Sequence, residues 1–137
     1  GTFSVFNYRF VPVPDELNRY MLTIKNLPAE RYTITADGRG LGSFTREQLS
    51  QGVNIASATA DGWEPGGPWD AHAHLLLNLT ESRNQADRVT PTLHHFLPQH
   101  PHRDAVRAQE AEIREKLETL QHTLVQPRPF HFVVTRQ

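Results

Sequence analysis

Histidine is the residue type of unusual frequency among those that could do chemistry in this 137-residue sequence, which contains eight histidines and no cysteine. The densest group lies in the stretch HHFLPQHPH and comprises His94, His95, His100 and His102. His-rich tracts can bind zinc or nickel through neutral imidazole nitrogens. A zinc site usually has two ligands one helical turn apart and a distant third, and this spacing is missing here. A metal site and a solvated, proline-interrupted loop between two helices both stay open as interpretations, and we expect no other cofactor.

The other candidates for an acid, a base or a nucleophile are isolated from one another. A catalytic serine usually lies in a tight glycine-flanked turn near a base, but Ser43 follows Gly42 inside a hairpin arm, and no motif links a serine to a histidine. The acidic residues near the C-terminus are mixed with basic ones, which is typical of a solvated helix face. We therefore predict no catalytic residue in this chain.

Two tryptophans, Trp63 and Trp69, enclose the stretch EPGGP. Exposed aromatic side chains in a loop on a β scaffold can stack on sugar rings, which makes both residues candidates for carbohydrate binding. The alternative is that Trp69 fixes the start of a helix on the sheet and Trp63 anchors the connector. Packing is the more common use of such side chains.

Composition argues against several classes of partner. The formal net charge is -1 at pH 7, and the sequence lacks the clustered Lys and Arg that nucleic acids and anionic lipids select. No apolar run approaches the roughly 20 residues that cross a bilayer. We expect neither nucleic acid nor membrane as a partner. Because the chain starts directly in strand-like sequence without Met, we also expect a processed or excised piece of a longer chain.

The first half of the sequence predicts β-structure. Residues 3–10 alternate between apolar and small or polar side chains, and residues 20–25 do so with a period of two. Asp37-Gly38 marks a tight hairpin turn, because both residues tolerate positive backbone φ angles.

A short helix is predicted to follow the hairpin. Thr45 and Gln48 have the spacing of a capping box, and Gly52 lies where such a helix ends in the left-handed conformation. The sequence VNIA then resumes an extended path.

The second half predicts two helices and a closing strand. Apolar residues recur at helical spacing from Trp69 to Ala86 and again from Arg103 to about Val125. The prolines of TPTLHHFLPQHPH separate these two runs. The final FHFVV has the composition of a strand that returns to the sheet of the first half.

These patterns predict an α+β fold, in which an antiparallel β-sheet or small β-sandwich carries two long amphipathic helices in the C-terminal half. The expected order is a β-rich part over 1–57, a Gly/Pro-rich connector over 58–68, a helical hairpin over 69–126 and a closing strand over 127–137. We expect these parts to form one compact domain. The two helices offer a surface for pairing with a second copy, so a homo-oligomer is a further expectation.

The segment NRYMLTIKNLPAERYTITADGRGLGSFTREQLSQGVNIA, residues 18–56, resembles the accessory C-terminal region of bacterial GDSL-like, or SGNH-fold, hydrolases. In that region a strand and a turn lead to an Asp-Gly hairpin, a short helix and another strand. The residues that carry the resemblance are Leu27-Pro28-Ala29, Arg31-Tyr32, Asp37-Gly38, Phe44-Thr45, Leu49, Gly52-Val53-Asn54 and Ala56. GPWDAHAHLLLNLTESRNQAD is similar to the helical stretch that follows in some members.

The resemblance implies an accessory role in a longer esterase. The GDS motif of the family, its later oxyanion-hole blocks and its Asp-x-x-His are all absent from this sequence, so no catalytic residue is carried over. The implied partner is the catalytic SGNH domain of the same parent chain, and the implied location is extracellular or periplasmic. The expected function is a non-catalytic accessory domain of an ester hydrolase. The alternative is a carbohydrate-binding module that uses exposed aromatic side chains.

Overall fold

The structure is a computed structural model that describes residue 14, residues 16–61, residue 63 and residues 66–137. The strands predicted within residues 3–10 lie outside these described residues. The described elements are β1 (Met21–Leu22), β2 (Arg31–Ala36), β3 (Arg39–Thr45), α1 (Arg46–Gln51), β4 (Val53–Asn54), α2 (Pro68–Ala86), α3 (Val89–Phe96), α4 (Arg103–Leu124) and β5 (Phe132–Arg136). The described strand pairs are all antiparallel, so the predicted α+β class is confirmed.

Backbone contacts divide the chain into two compact units. The first unit contains the described residues up to His74 together with Pro129–Gln137, and the second contains Leu75–Arg128. The boundaries predicted from sequence at residues 58, 69 and 127 stay predictions.

The turn of the β2–β3 hairpin has the geometry that its sequence predicts. Asp37 and Gly38 have φ angles of 48° and 79°. A two-residue turn in which both φ angles are positive matches the twist of the flanking strands, and glycine and aspartate adopt such angles at low cost.

A β-bulge follows the turn. Ile34 lies opposite Gly42 while Thr35 lies opposite Gly40, so Leu41 is the extra residue on β3. Leu41 is buried, with 2% of its surface exposed.

The last strand closes the three-stranded sheet, whose order is β3-β2-β5. β5 runs antiparallel to β2, with Ile34 opposite Val134. Beyond this ladder, the Asp37 N–H donates to the His131 carbonyl and an Asp37 carboxylate oxygen accepts from the His131 N–H, both at 2.8 Å. The predicted return of FHFVV to the sheet of the first half is confirmed.

The capping box of α1 is also confirmed. The Thr45 hydroxyl accepts from the Gln48 N–H at 3.1 Å, and the Gln48 side chain accepts from the Thr45 N–H at 2.8 Å. The predicted left-handed helix end at Gly52 is wrong in detail. Gly52 has a positive φ of 101°, but its ψ of 130° directs the chain into β4 without a left-handed helical turn.

The core of the first unit is formed by β2, β3, α1 and the residues after β4. Alternation along β2 buries Tyr32, Ile34 and Ala36 on one face. The buried hydrophobic residues are Tyr32, Ile34, Ala36, Leu41, Leu49, Ile55 and Ala56.

The strand predicted over residues 20–25 is shorter than expected. Only Met21 and Leu22 pair, with Asn54 and Val53 of β4. The Ile24 N–H donates instead to the Leu49 carbonyl in α1. The chain therefore leaves the ladder to satisfy the end of a helix, which an apolar period of two does not reveal.

The second unit contains one more helix than the sequence predicted. Residues 89–96 form α3, whereas the prolines of this stretch predict a loop. Pro91 is the third residue of α3, where a missing N–H costs no intrahelical hydrogen bond. Pro98 and Pro101 do lie outside the helices.

Among the described residues, no helix is both long and apolar enough to cross a membrane.

Candidate functional site

Trp69 is the second residue of α2 and lies at the centre of a group of aromatic rings in the first unit. Its ring centroid is 5.6 Å from that of Tyr20 and 5.7 Å from that of Phe130, and both pairs are edge-to-face, with interplanar angles of 84° and 83°. The Phe132 ring is tilted by 33° at 6.4 Å. Such arrangements place the positive edge of one ring against the negative face of another. We call Tyr20, Trp69, Phe130 and Phe132 the Trp69 cluster.

Contacts with the backbone fix the indole of Trp69. Its Nε1–H donates to the Ala56 carbonyl at 2.7 Å, and Ala56 is only 1% exposed. A Cβ at Gly67 would lie 2.7 Å from Trp69 Cη2 and still closer to Cζ2, so the indole lies directly against this glycine. These contacts favour the packing interpretation of Trp69, while a ligand-binding role stays a prediction.

Trp63 lies in a different environment. Its side chain is 77% exposed. Its N–H donates to an Asp61 carboxylate oxygen at 2.9 Å, and the Thr59 hydroxyl both donates to the Asp61 carbonyl and accepts from the Asp61 N–H. These local bonds shape the turn, and the indole projects from it. An exposed indole face is what stacking on a sugar ring requires.

The rim of the Trp69 cluster is open to solvent. Tyr20 is 52% exposed and Phe132 is 37% exposed. The Tyr20 backbone is held in place, because its N–H donates to the Asn54 side chain at 3.0 Å and its carbonyl accepts from the Ile55 N–H at 2.8 Å. Sequence reasoning missed Phe130 and Phe132. The signal was present in FHFVV, because residues two apart in an extended segment lie on the same face.

The four histidines of the candidate metal site occupy two local environments. His94 and His95 belong to α3 and not to a loop, and the His95 ring packs edge-to-face on Phe96 at 4.9 Å. His100 and His102 lie beyond the helix, where His100 Nδ1 accepts from the His102 N–H at 3.2 Å. Within the part of the chain that the structure describes, no three His, Asp or Glu side chains are grouped as metal ligands. The metal site stays a prediction that no described geometry supports.

The hydroxyls of Ser43 and of two other serines in the first unit, Ser50 and Ser57, take part in structural hydrogen bonds. Ser43 Oγ lies 3.3 Å from the Thr33 hydroxyl and accepts from the Gln137 side chain at 2.9 Å. Ser50 donates to a carbonyl of its own helix, and Ser57 accepts from an asparagine amide. None of these bonds supplies a base that could activate the hydroxyl.

The shifted ionisable pair of the described chain lies on an exposed helix face. A hydrogen bond from the Lys116 ammonium, together with its positive charge, lowers the pKa of the Glu112 carboxyl below its usual value. The same contact raises the pKa of Lys116. These residues are four apart on α4 and both side chains are exposed, which agrees with the predicted solvated face.

Comparison with known proteins adds a likeness in fold. No protein-family model and no curated protein matches this sequence. The fold is similar to the solved structure of a gut microbial diltiazem-metabolizing enzyme, with a TM-score of 0.52 and 16% sequence identity. The match covers 96% of this chain and 37% of that chain. At this identity the likeness concerns the fold, and this chain corresponds to little more than a third of the longer protein.

Proposed function

We propose that this chain is a non-catalytic accessory region of a larger ester hydrolase of the SGNH type. The observation that carries the proposal is the resemblance of residues 18–56 to the accessory region of that family, in a sequence without the family's catalytic motifs. The match in fold of nearly the whole chain to 37% of a longer enzyme chain is compatible with a place inside a longer polypeptide.

The residues of the SGNH-like motif support the proposal because they serve as scaffold. The buried Tyr32 accepts from the Ala29 N–H through its hydroxyl at 2.6 Å. Thr45 caps α1, and Leu49 is fully buried. The Asn54 side chain accepts from the Ala56 N–H and donates to the Asn18 carbonyl. Motif residues with such roles preserve a fold and leave chemistry to another part of the parent chain.

The second unit supports the proposal through its exposed apolar side chains. On α4, Ile113 and Leu120 are 51% and 50% exposed, and Val125 just beyond the helix is 53% exposed. Amphipathic helices gain most of their stability from tertiary packing of the apolar face. We propose that the catalytic part of the parent chain covers this face, since the enzyme of similar fold has nearly two thirds of its length outside the matched region.

Hydrolysis of p-nitrophenyl acetate tests the absence of catalysis. The folded 137-residue chain is expected to react no faster than the urea-unfolded chain, because free imidazoles alone cleave this ester slowly in both. A saturable rate with kcat/KM on the order of 10⁴ M⁻¹s⁻¹ in the folded chain would contradict the proposal.

The parent protein supplies the positive arm of the test. Its full product is compared with a product that ends before these 137 residues. The shortened enzyme is expected to retain its nucleophile but to have a lower Tm and weaker ester hydrolysis. Equal Tm and equal kcat/KM in the two products would remove the accessory role.

Carbohydrate binding is the second candidate, and the exposure of Trp63 favours it. Stacking of a sugar on an exposed indole quenches or shifts its fluorescence, so soluble polysaccharides are titrated into the wild-type chain and into Trp63→Ala. A saturable change that Trp63→Ala abolishes is the expected result for this function. Unchanged fluorescence and unchanged mobility in polysaccharide gels would eliminate it.

A further inference from the structure

We propose that a small cavity between α3 and α4 binds a doubly charged oxyanion of the phosphate class. The cavity has a volume of about 230 Å³ and is lined by Thr90, Leu93, His94, Arg103 and Arg107. Two of these five side chains are permanently cationic, and the lining contains no carboxylate. This inference does not depend on the proposed accessory function.

The two arginines occupy an unfavourable position in the absence of an anion. Arg103 is the first residue of α4, and Arg107 lies four residues later on the same face. Like charges four apart on a helix repel, and the N-terminal end of a helix disfavours cations. An anion held between the two guanidinium groups would relieve both repulsions.

The hydrogen bonds of the two arginines differ in a way that fits a binding role. Arg103 is positioned, because its Nη1 donates to the Pro98 carbonyl at 3.1 Å and its Nε donates to Asp104 at 3.3 Å. Across the described residues, the Arg107 guanidinium makes neither a hydrogen bond nor an ion pair. All the donors of this guanidinium are therefore available for a ligand.

Thr90 supplies a second unused group. Its Oγ1 is inaccessible to solvent and has no hydrogen-bond partner among the described residues. Native proteins rarely retain a buried hydroxyl without a partner, and a change of the Thr90 side-chain rotamer would be needed to bring this hydroxyl to an anion in the cavity. Thr90 and Arg107 both line this cavity and the cleft of about 440 Å³, and thus lie where the two meet.

The carboxylates nearby lie outside the cavity. Asp87 and Glu110 line the adjoining cleft, where Asp87 pairs with Arg114 at 3.7 Å. Asp104 forms an ion pair with Arg103 at 3.3 Å, and because 87% of its side chain is exposed, its charge acts on Arg103 through solvent from outside the cavity. Inside the cavity, the two guanidinium groups have no carboxylate between them and offer two positive charges to a phosphate dianion. The volume of the cavity is below the range of drug-sized sites and suits free phosphate or a small phosphomonoester.

Isothermal titration of the 137-residue chain at constant ionic strength tests the proposal. The probes are inorganic phosphate, glycerol 3-phosphate, acetate and chloride. Saturable binding of phosphate or glycerol 3-phosphate at one site per chain is expected, with acetate at least tenfold weaker and no effect of chloride. Tighter binding of glycerol 3-phosphate would identify a phosphomonoester as the ligand, and tighter binding of phosphate would identify the free ion. Heats indistinguishable from those of chloride would overturn the proposal.

Two variants distinguish binding in the cavity from nonspecific attraction by the positive charge of the chain. Arg107→Gln is expected to weaken phosphate binding by about tenfold or more, since hydrogen bonds between two charged groups are stronger than those between neutral ones. Lys116→Gln removes the same charge from the exposed face of the same helix and is expected to leave binding unchanged. Equal losses in the two variants would reduce the effect to nonspecific attraction and refute the site.

Thr90→Val provides a measurement that does not depend on charge. The variant replaces an unpartnered hydroxyl by a methyl group of similar shape, so the ligand-free chain is expected to gain thermal stability. Phosphate binding is expected to weaken several-fold in the same variant. Unweakened binding would show that the hydroxyl does not contact the anion and would contradict its place in the site.

Discussion

Replacing Trp69 with Phe tests whether the centre of the aromatic cluster is a structural residue. The change removes the Nε1–H that donates to the Ala56 carbonyl at 2.7 Å, within a residue that is 1% exposed. A buried acceptor that loses its donor costs about 1–3 kcal/mol. The missing ring atoms leave a cavity against Gly67 that adds about 1 kcal/mol. We expect the free energy of unfolding to fall by about 2–4 kcal/mol, which lowers Tm by about 10 °C in a chain of this length.

Urea denaturation followed by far-UV circular dichroism measures this loss. The matched control is Trp63→Phe, which changes an indole that is 77% exposed and is expected to alter the free energy of unfolding by no more than about 0.5 kcal/mol. This control also leaves Trp69 as the single tryptophan, so its fluorescence reports on the cluster directly. Equal denaturation midpoints for the two variants would refute the structural assignment of Trp69.

Two further predictions concern local interactions. Thr45→Ala removes the hydroxyl that caps α1 and is expected to reduce the free energy of unfolding by about 1 kcal/mol. Thr45→Ser keeps a capping hydroxyl and should keep the wild-type stability. Equal urea midpoints for the two variants would contradict the cap. Because Lys116 lowers the pKa of Glu112 in the folded chain, this pair stabilises α4 above the unfolded pKa of Glu112, and the stabilisation disappears as pH falls through the lowered value. An NMR titration of the Glu112 carboxyl should show a higher midpoint in Lys116→Gln, and an unchanged midpoint would contradict the pairing.

The elements predicted correctly are those whose cause lies within a few residues of chain. Asp37-Gly38 specifies its turn because the two residues tolerate positive φ angles, and the structure has them there. Thr45 and Gln48 satisfy each other's backbone donors across a single helical turn. In both cases the residues that determine the local structure are neighbours in sequence, so the structure can be predicted without knowledge of distant contacts.

The errors arise where distant residues or exceptions to a local rule decide the outcome. The strand expected over residues 20–25 ends early because the Ile24 N–H finds an acceptor in α1. The prolines of TPTLHHFLPQHPH predict a break between two helices, but Pro91 lies in the first turn of α3, where proline is tolerated. The Trp69 cluster joins Tyr20, Phe130 and Phe132, which lie far apart in sequence, so only the fold brings these rings together.

The two units differ in how far they bury their own apolar side chains, and this difference bears on function. In the first unit, the alternation along β2 buries Tyr32, Ile34 and Ala36 in a continuous core. In the described residues 75–128 no residue is buried, and Ile113 and Leu120 of α4 are half exposed. A helix whose apolar stripe is left open is stabilised further when another surface packs on it. The first unit thus has a core of its own, while the second leaves an apolar helix face open, which is the feature that the proposed accessory role requires.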